Sequence, residues 1–233
     1  MIRITWLYKI SLFAIFFLIL YVQKAIAQQS SDTAIDIDGN IYSSVIIGKQ
    51  VWMVENLQVS KFSNGVKIPE VKTAKKWKKA GIKRKPAWCF YENDPNNGKT
   101  YGKLFNGFAI NDSNGLCPKG WHVPSDEEWQ SLVNYLGGFD VAGGKMKAKS
   151  KWEGSDEKDT TNSSGFTDYL AGNRDCDGTF GRIGENSAFW TSTENDKGNN
   201  WVWCLGFNYL GVGRYDYLTK TFEIGRASCR ERV

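Results

Sequence analysis

The chain has 233 residues, 41% of them hydrophobic, and a formal charge of +5 at pH 7. Residues 1–27 carry three basic side chains, and residues 223–233 carry three basic and two acidic ones, so the part between them is close to neutral. A near-neutral domain excludes nucleic-acid binding driven by overall charge. Roughly 195 residues between the two ends are enough for one domain with its own hydrophobic core.

The N-terminus predicts export. Arg3 and Lys9 precede the apolar run Ile10–Val22, and the small-residue site Ala25–Ala27 follows. This order is typical of a cleavable signal peptide over residues 1–27. The alternative, a permanent transmembrane anchor, requires about 20 predominantly apolar residues. We therefore expect an extracytoplasmic protein, secreted or at the outer surface of a bacterium, with no membrane span after cleavage and a flexible leader over residues 28–34.

The next segments predict strands and a basic loop. Asp38-Gly39-Asn40 forms a turn before a β-branched strand up to Ile47, and Val51-Trp52-Met53 resumes the sheet. Eight basic residues surround Trp77 in Lys72–Lys85. We interpret this run as a solvated loop, with a patch for an anionic surface polymer as the alternative. Trp77 and Trp152 have lysine neighbours, so we expect both to be exposed and able to contact a ligand.

The helix after Ser125 has the clearest local pattern in the chain. Ser125 and Glu128 form a capping box, and Trp129, Leu132, Val133 and Leu136 then share one helical face. Beyond this helix, Thr160–Gly184 has the composition of a loop. Ala188–Thr193 and Trp201–Tyr209 predict strands, the second with alternating aromatic and aliphatic residues. The fold class is therefore α+β, with small antiparallel sheets, one or two helices and long loops.

Four cysteines lie in the part of the chain between the two ends. Cys89, Cys117, Cys176 and Cys204 allow either two disulfides in one of three connectivities, or buried thiols with one bridge. Residues 223–233 resemble one reading frame of a sequencing adapter, and a genuine charged tail is the alternative. We therefore expect the natural domain, residues 35–222, to be truncated after Phe222, and Cys229 to have no structural role.

Several sequence blocks together carry a family resemblance. In chain order they are Trp52–Leu57 (WMVENL), Tyr101–Asn106 (YGKLFN), Cys117–Ser125 (CPKGWHVPS), Thr161–Phe166 (TNSSGF) and Phe189–Thr193 (FWTST). The set resembles the Fibrobacter succinogenes major paralogous domain family. The resemblance covers nearly all of residues 36–222. It implies a C-type-lectin-like fold, distantly similar to formylglycine-generating and sulfatase-modifying domains. It also implies a closing strand with a cysteine after Phe222, so we expect that strand to be missing and Cys117 to lack a partner.

No catalytic motif is visible in the sequence. The formylglycine-generating enzymes use a closely spaced cysteine pair that binds copper, and the domain cysteines here are far apart. A nucleophilic site would need His122, the single histidine, which we interpret as a packed structural residue. We assign structural roles to Cys117, Trp121, His122, Ser125, Glu128, Trp129 and Trp190.

The candidate ligand contacts lie in the polar loop. Asn173, Arg174, Asp175 and Asp177 offer charged and oxygen-bearing groups, and Asp175 and Asp177 are candidate calcium ligands beside Gly178; a simple Asp-Gly turn is the alternative. No other cofactor is expected. The loops over residues 162–185 and 194–200 are where we expect recognition.

The function that follows is a secreted, non-catalytic, C-type-lectin-like recognition module. Its expected partner is a polysaccharide or a cell-surface protein, and nucleic acid is not expected. The alternative is a structural or assembly component of the bacterial cell surface, and an enzyme of the formylglycine-generating type is the third reading.

Overall fold

The computed structural model describes residues 33–149, 160–216, 225–226 and 228–231. The signal peptide, residues 28–32 of the leader and Trp152 lie outside the described residues. Assigning Ala34 to the leader was wrong. Ala34 is buried in a hydrophobic cluster and pairs with Tyr42 in an antiparallel ribbon.

The described residues form short strands and few helices, as the α+β prediction states. The strands are β1 (Ala34–Ile35), β2 (Ile41–Tyr42), β3 (Ser44–Ile47), β4 (Gln50–Met53), β5 (Trp88–Cys89), β6 (Leu104–Phe105), β7 (Trp121–His122), β8 (Ala171–Arg174), β9 (Phe180–Ile183), β10 (Asn186–Glu194), β11 (Asn200–Gly206), β12 (Gly213–Tyr215), β13 (Gly225–Arg226) and β14 (Arg230–Glu231). The helices are α1 (Ala74–Ile82), α2 (Pro95–Tyr101), α3 (Gly107–Ile110), α4 (Asp126–Tyr135) and α5 (Ala142–Met146), with a 3-10 turn at Tyr91–Asn93. Among these helices none is long and apolar enough to cross a membrane.

The larger sheet has the order β12-β11-β10-β13-β6-β5, with β8 beside β10 and β9 beside β8. Its pairs are antiparallel except that β10 runs parallel to β8 and β13. The predicted strand near Trp201 is confirmed, but both of its faces are buried. Val202 and Cys204 pack into one hydrophobic cluster, and Trp203 and Leu205 pack into a second one on the other face. The β10–β11 hairpin therefore separates two cores.

The predicted helix over residues 126–135 is confirmed together with its capping box. Ser125 accepts from the Glu128 backbone N–H, and the Glu128 carboxylate accepts from the Ser125 N–H at 2.8 Å. Trp129 is fully buried, with its ring centroid 5.1 Å from those of Trp52 and Phe189. Edge-to-face and tilted aromatic pairs of this kind add about 0.5–1.5 kcal/mol each beyond area burial. Trp52, Trp121, Trp129 and Trp190 are all buried in the hydrophobic clusters.

Two predicted loops contain regular structure. Lys72–Lys85 includes the helix α1, because Thr73 caps it by accepting from the Lys76 N–H at 3.3 Å and lysine and alanine favour helices. Thr160–Gly184 includes the β8–β9 hairpin, in which Ala171 pairs with Ile183. The predictions of loop were therefore wrong for these parts, because the polar and charged composition of both segments is compatible with regular structure.

The expectation of a missing closing strand was also wrong. β13 lies between β10 and β6, and β14 lies between β4 and β7. Cys229 is fully buried and forms a disulfide with Cys117. The described residues 225–226 and 228–231 therefore supply strands that close the sheets, and the Met53 N–H donates to the Cys229 carbonyl at 3.1 Å. Their origin in a sequencing adapter stays a prediction.

The other described cysteines are not bridged. Cys89 and Cys204 are buried thiols and Cys176 is half-buried. The reading of buried thiols with one bridge fits the disulfide count, but the bridge uses Cys229 rather than a second cysteine of residues 35–222.

Candidate functional site

Arg174 is a buried structural residue that holds the start of α1. Its Nη1 donates to the Val71 carbonyl at 2.6 Å and its Nη2 donates to the Lys72 carbonyl at 2.8 Å. The guanidinium carbon lies 4.6 Å from the Trp77 ring centroid and 4.5 Å from that of Phe180. Charge-assisted hydrogen bonds and enclosing rings compensate the buried charge. The prediction that Arg174 contacts a ligand is therefore wrong.

Trp77 is 3% exposed, so its predicted exposure was wrong as well. On α1, Trp77 and Gly81 are the buried positions, and their i, i+4 spacing places both on the face toward the protein. The lysine side chains on either side of Trp77 point into solvent. A tryptophan with charged sequence neighbours is buried here because a helix separates neighbours onto different faces.

The acidic residues predicted as calcium ligands belong to the β8–β9 turn. The Asn173 amide donates to Asp175 Oδ1 at 2.6 Å, and Asp177 Oδ1 accepts from the Thr179 N–H at 2.9 Å. The Thr179 hydrogen bonds lower the pKa of Asp177, whereas burial raises the pKa of Asp175. Within the described ranges no group of three or more histidine, cysteine or acidic residues is placed to hold a metal ion. The calcium prediction gains no support, and the geometry is that of an Asp-Gly turn.

The helix α1 and its flanks form a strongly basic surface. All its basic side chains are exposed, and the ion pair found for them among the described residues joins Lys72 to Glu70 at 3.3 Å. We call this set the basic surface. It consists of Lys72, Lys75, Lys76, Lys78, Lys79, Lys83, Arg84 and Lys85.

The basic surface is unfavourable for the helix that carries it. Lys75 and Lys76 lie in the first turn, at the positive end of the helix dipole, and no acidic residue lies there. Lys75 also has Lys78 and Lys79 at i+3 and i+4, where like charges destabilise a helix by about 0.2–0.5 kcal/mol per pair. These interactions raise the free energy of the helix as long as no partner is bound.

The sequence blocks between Trp52 and Thr193 lie within a match to a known protein family. The model of the Fibrobacter succinogenes major domain matches residues 45–228. The chain belongs to this family. The match extends past Phe222 to Ser228, and the family resemblance of the sequence is confirmed. Comparisons with curated proteins and with solved structures give no match.

In this member of the Fibrobacter succinogenes major domain family, His122 is paired with a carboxylate. Its Nε2 lies 2.8 Å from Glu128 Oε2, the oxygen that also accepts from the Ser125 N–H. Burial raises the pKa of Glu128, but the hydrogen bonds from Ser125 and His122 outweigh it and lower the pKa. His122 thus joins β7 to the capping box of α4, and Trp121 beside it is buried.

The composition of Lys72–Lys85 indicated a basic patch only as the alternative to a solvated loop, and the helix that orders it was not predicted. Two signals were present, namely the Thr73 cap and the four-residue spacing of Trp77 and Gly81. The buried contacts of Arg174 with Val71 and Lys72 span about a hundred residues of sequence, and no local pattern indicates them.

Proposed function

We propose that this protein is a secreted, non-catalytic recognition module with a C-type-lectin-like arrangement, which binds an acidic polysaccharide of a bacterial surface. The basic surface is the proposed contact. Its partner would carry carboxylate groups at close spacing along an extended chain, because four ammonium groups lie on the nine-residue helix α1 and the other four basic groups lie just before and after it.

The observation that supports this proposal is the excess of positive charge on the basic surface. Lys72 is paired with Glu70, and Lys78 acts on the nearby Asp177, but the eight basic groups far outnumber these acidic neighbours. Lysines at the helix N-terminus and at i+3 and i+4 spacing raise the free energy of the unbound helix. An anionic partner removes this repulsion on binding and releases its own counterions, so affinity is gained from charges that destabilise the free protein. Local arrangements that oppose folding are expected at functional sites.

The basic surface is also held in place before any partner binds. The guanidinium of Arg174 fixes the backbone of Val71 and Lys72, and Trp77 anchors the middle of the helix. A preorganised surface loses less conformational entropy on binding than a flexible loop does. This rigidity favours recognition over a simple solubilising role.

The test is binding of the purified protein to polygalacturonate, an acidic polysaccharide, and to dextran, an uncharged one. A variant with glutamate at Lys75, Lys76, Lys78 and Lys79 is compared with a matched variant with glutamate at Lys49, Lys67, Lys119 and Lys197. All eight residues are exposed and both variants undergo the same change in net charge. We expect the first set to reduce affinity for polygalacturonate at least about tenfold, and the second set to change it far less.

Salt and competing polymers complete the test. Binding through ammonium groups weakens steeply as salt is added, since the Debye length falls from about 10 Å at 0.1 M to about 3 Å at 1 M. Equal losses in the two variants would show that net charge alone acts, and would refute the basic surface as a site. Preference for duplex DNA over polygalacturonate would refute the proposed partner. Failure of the wild type to bind any acidic polysaccharide would favour a structural role at the cell surface.

A further inference from the structure

A second candidate site lies away from the basic surface, in a cleft between three segments. Residues 54–58 follow β4, residues 99–102 end α2, and residues 167–169 precede β8. The cleft encloses about 410 Å³. This volume lies within the range of about 300–1,000 Å³ that is usual for small-molecule sites.

The cleft combines one exposed aromatic ring with hydrogen-bonding groups. Tyr169 is 38% exposed, whereas Trp52, Trp129 and Trp190 are almost completely buried. Glu55 and Gln58 line the cleft from the segment 54–58, and Lys99 and Thr100 line it from the segment 99–102. Glu55 Oε2 accepts from the Ser43 N–H at 2.7 Å, which orients the carboxylate and leaves Oε1 for a ligand. An aromatic face beside carboxylate, amide and hydroxyl groups matches a sugar ring, which has an apolar C–H face and a rim of hydroxyls.

The backbone around the cleft is strained and fixed. Thr167 has φ of +61°, a left-handed conformation that β-branched residues rarely adopt, whereas Asn162, with φ of +46°, is of a type that tolerates this region. The two residues lock each other, because the Asn162 amide donates to Thr167 Oγ1 at 2.9 Å and the Thr167 N–H donates to Asn162 Oδ1 at 3.0 Å. Strain that the surroundings impose is concentrated at binding and active sites. Thr167 itself lines the cleft.

The other walls are held as firmly. A Cβ on Gly102 would lie 2.6 Å from the Cβ of Asn56, so the segments 54–58 and 99–102 approach each other only because residue 102 is glycine. The Asn56 amide donates to the Tyr101 carbonyl at 3.2 Å across the same junction. The cleft is therefore formed before a ligand arrives.

We propose that this cleft binds an uncharged hexose unit, with its C–H face stacked on Tyr169 and its hydroxyls bonded to Glu55 and Gln58. An uncharged ligand is proposed because Glu55 and Lys99 are the charged residues among those lining the cleft, and their opposite charges leave the lining with no net charge. This site uses none of the residues of the basic surface, so hexose binding in the cleft does not depend on acidic-polysaccharide binding.

The test is isothermal titration calorimetry of the purified protein with a panel of uncharged glucose, mannose and galactose oligosaccharides. Titration in about 1 M salt removes the contribution of the basic surface. We expect saturable binding that Tyr169→Ala weakens at least about tenfold and Glu55→Gln weakens as well. Tyr169→Phe keeps the ring and should bind nearly as the wild type does. Tyr135→Ala removes an aromatic side chain that is 67% exposed outside the cleft, and it is the matched control.

Each other outcome overturns the proposal. No binding by a folded wild type would exclude uncharged hexoses as the ligand class. Binding that Tyr169→Ala and Glu55→Gln leave intact would place the sugar elsewhere, and equal losses in Tyr135→Ala and Tyr169→Ala would indicate a general effect on folding. The loss of polygalacturonate binding caused by glutamate at Lys75, Lys76, Lys78 and Lys79 reports on the basic surface, and the loss of oligosaccharide binding caused by Tyr169→Ala in about 1 M salt reports on the cleft. Failure of one site therefore does not imply failure of the other.

Discussion

Lys103 is a buried ammonium group that rests on aromatic rings. The residue is 6% exposed, and its Nζ lies 3.8 Å from the Trp88 ring centroid and 5.7 Å from that of Phe90. Burial lowers the pKa of Lys103 to about 8, while the charges of Asp38, Asp36 and Glu70 act in the opposite direction. The cation–π contact offsets part of the cost of burying the charge.

The lowered pKa of Lys103 makes stability depend on pH. Between about pH 8 and the unfolded value of 10.5, the unfolded chain binds a proton at this lysine that the folded protein does not. The unfolded state binds more protons there, so the contribution of Lys103 to the free energy of unfolding rises with pH across this window and is constant below it.

The measurement is urea unfolding from pH 7 to 10 for the wild type and Lys103→Met. The variant keeps the apolar stem but has no titrating group, so we expect the stability difference between the two proteins to change in favour of the wild type above pH 8. Lys99→Met, at an exposed position, should follow the wild type throughout. A constant difference between the wild type and Lys103→Met at every pH would contradict the lowered pKa.

Residue roles were predictable where the contact is local in sequence. Ser125 and Glu128 bond across three positions, and their pairing follows from the sequence alone. Arg174 bonds to carbonyls about a hundred residues away, and Trp77 is buried against it. No rule of sequence spacing predicts contacts over that distance. The charged neighbours of Arg174 and Trp77 therefore led to the wrong predictions that Arg174 contacts a ligand and that Trp77 is exposed.

At the scale of elements, the β8–β9 turn and the start of α1 are packed against each other. A Cβ on Gly178 would lie 2.4 Å from the Cα of Ala74, so the turn meets the helix with no room for a side chain. Together with Arg174, which bonds to the backbone just before α1, this contact sets the position of the basic surface.

Gly178→Ala should therefore destabilise the protein more than a matched change in the same hairpin. Gly178 and Gly184 have φ of +94° and +74°, but a Cβ on Gly184 would meet nothing within 4 Å. Each alanine carries the backbone penalty, and only Gly178→Ala adds a clash with backbone atoms, worth about 1–3 kcal/mol. Urea unfolding of both variants gives the difference. Equal losses would mean that the turn can move away from α1 without cost.

The elements differ in how far their sequence determines them. The helix α4 has a cap, an apolar face and a stop at Gly137 and Gly138, so all local signals agree. The strands β8 and β9 consist largely of polar residues and glycine, and they exist because β8 pairs with β10 and Arg174 is enclosed. Tertiary pairing, rather than propensity, decides such strands. The cleft was missed for the same reason, since its three segments meet only in the fold.

At the scale of the whole molecule, the C-terminal segment contributes a strand to each of the two larger sheets, the eight-stranded one and the four-stranded one. β13 pairs with β10 and β6 in the larger sheet, and β14 pairs with β4 and β7 in the smaller one. The disulfide between Cys117 and Cys229 joins this segment to the block before β7, across 112 residues of sequence. One covalent bond thus restrains most of the domain in the unfolded state.

Loss of this disulfide should lower the free energy of unfolding by about 2–5 kcal/mol, since cross-links that close long loops remove the most entropy from the unfolded chain. Cys117→Ser, Cys229→Ser and the double variant should be equally destabilised, because each breaks the same bond. Cys176→Ser, at a half-buried free thiol, should change stability by no more than about 0.5 kcal/mol. Urea unfolding with and without reductant measures each case, and reductant should affect only the wild type and Cys176→Ser. Additive losses in the two single variants would mean that Cys117 and Cys229 act separately, and the tail would then not be the closing strand of the domain.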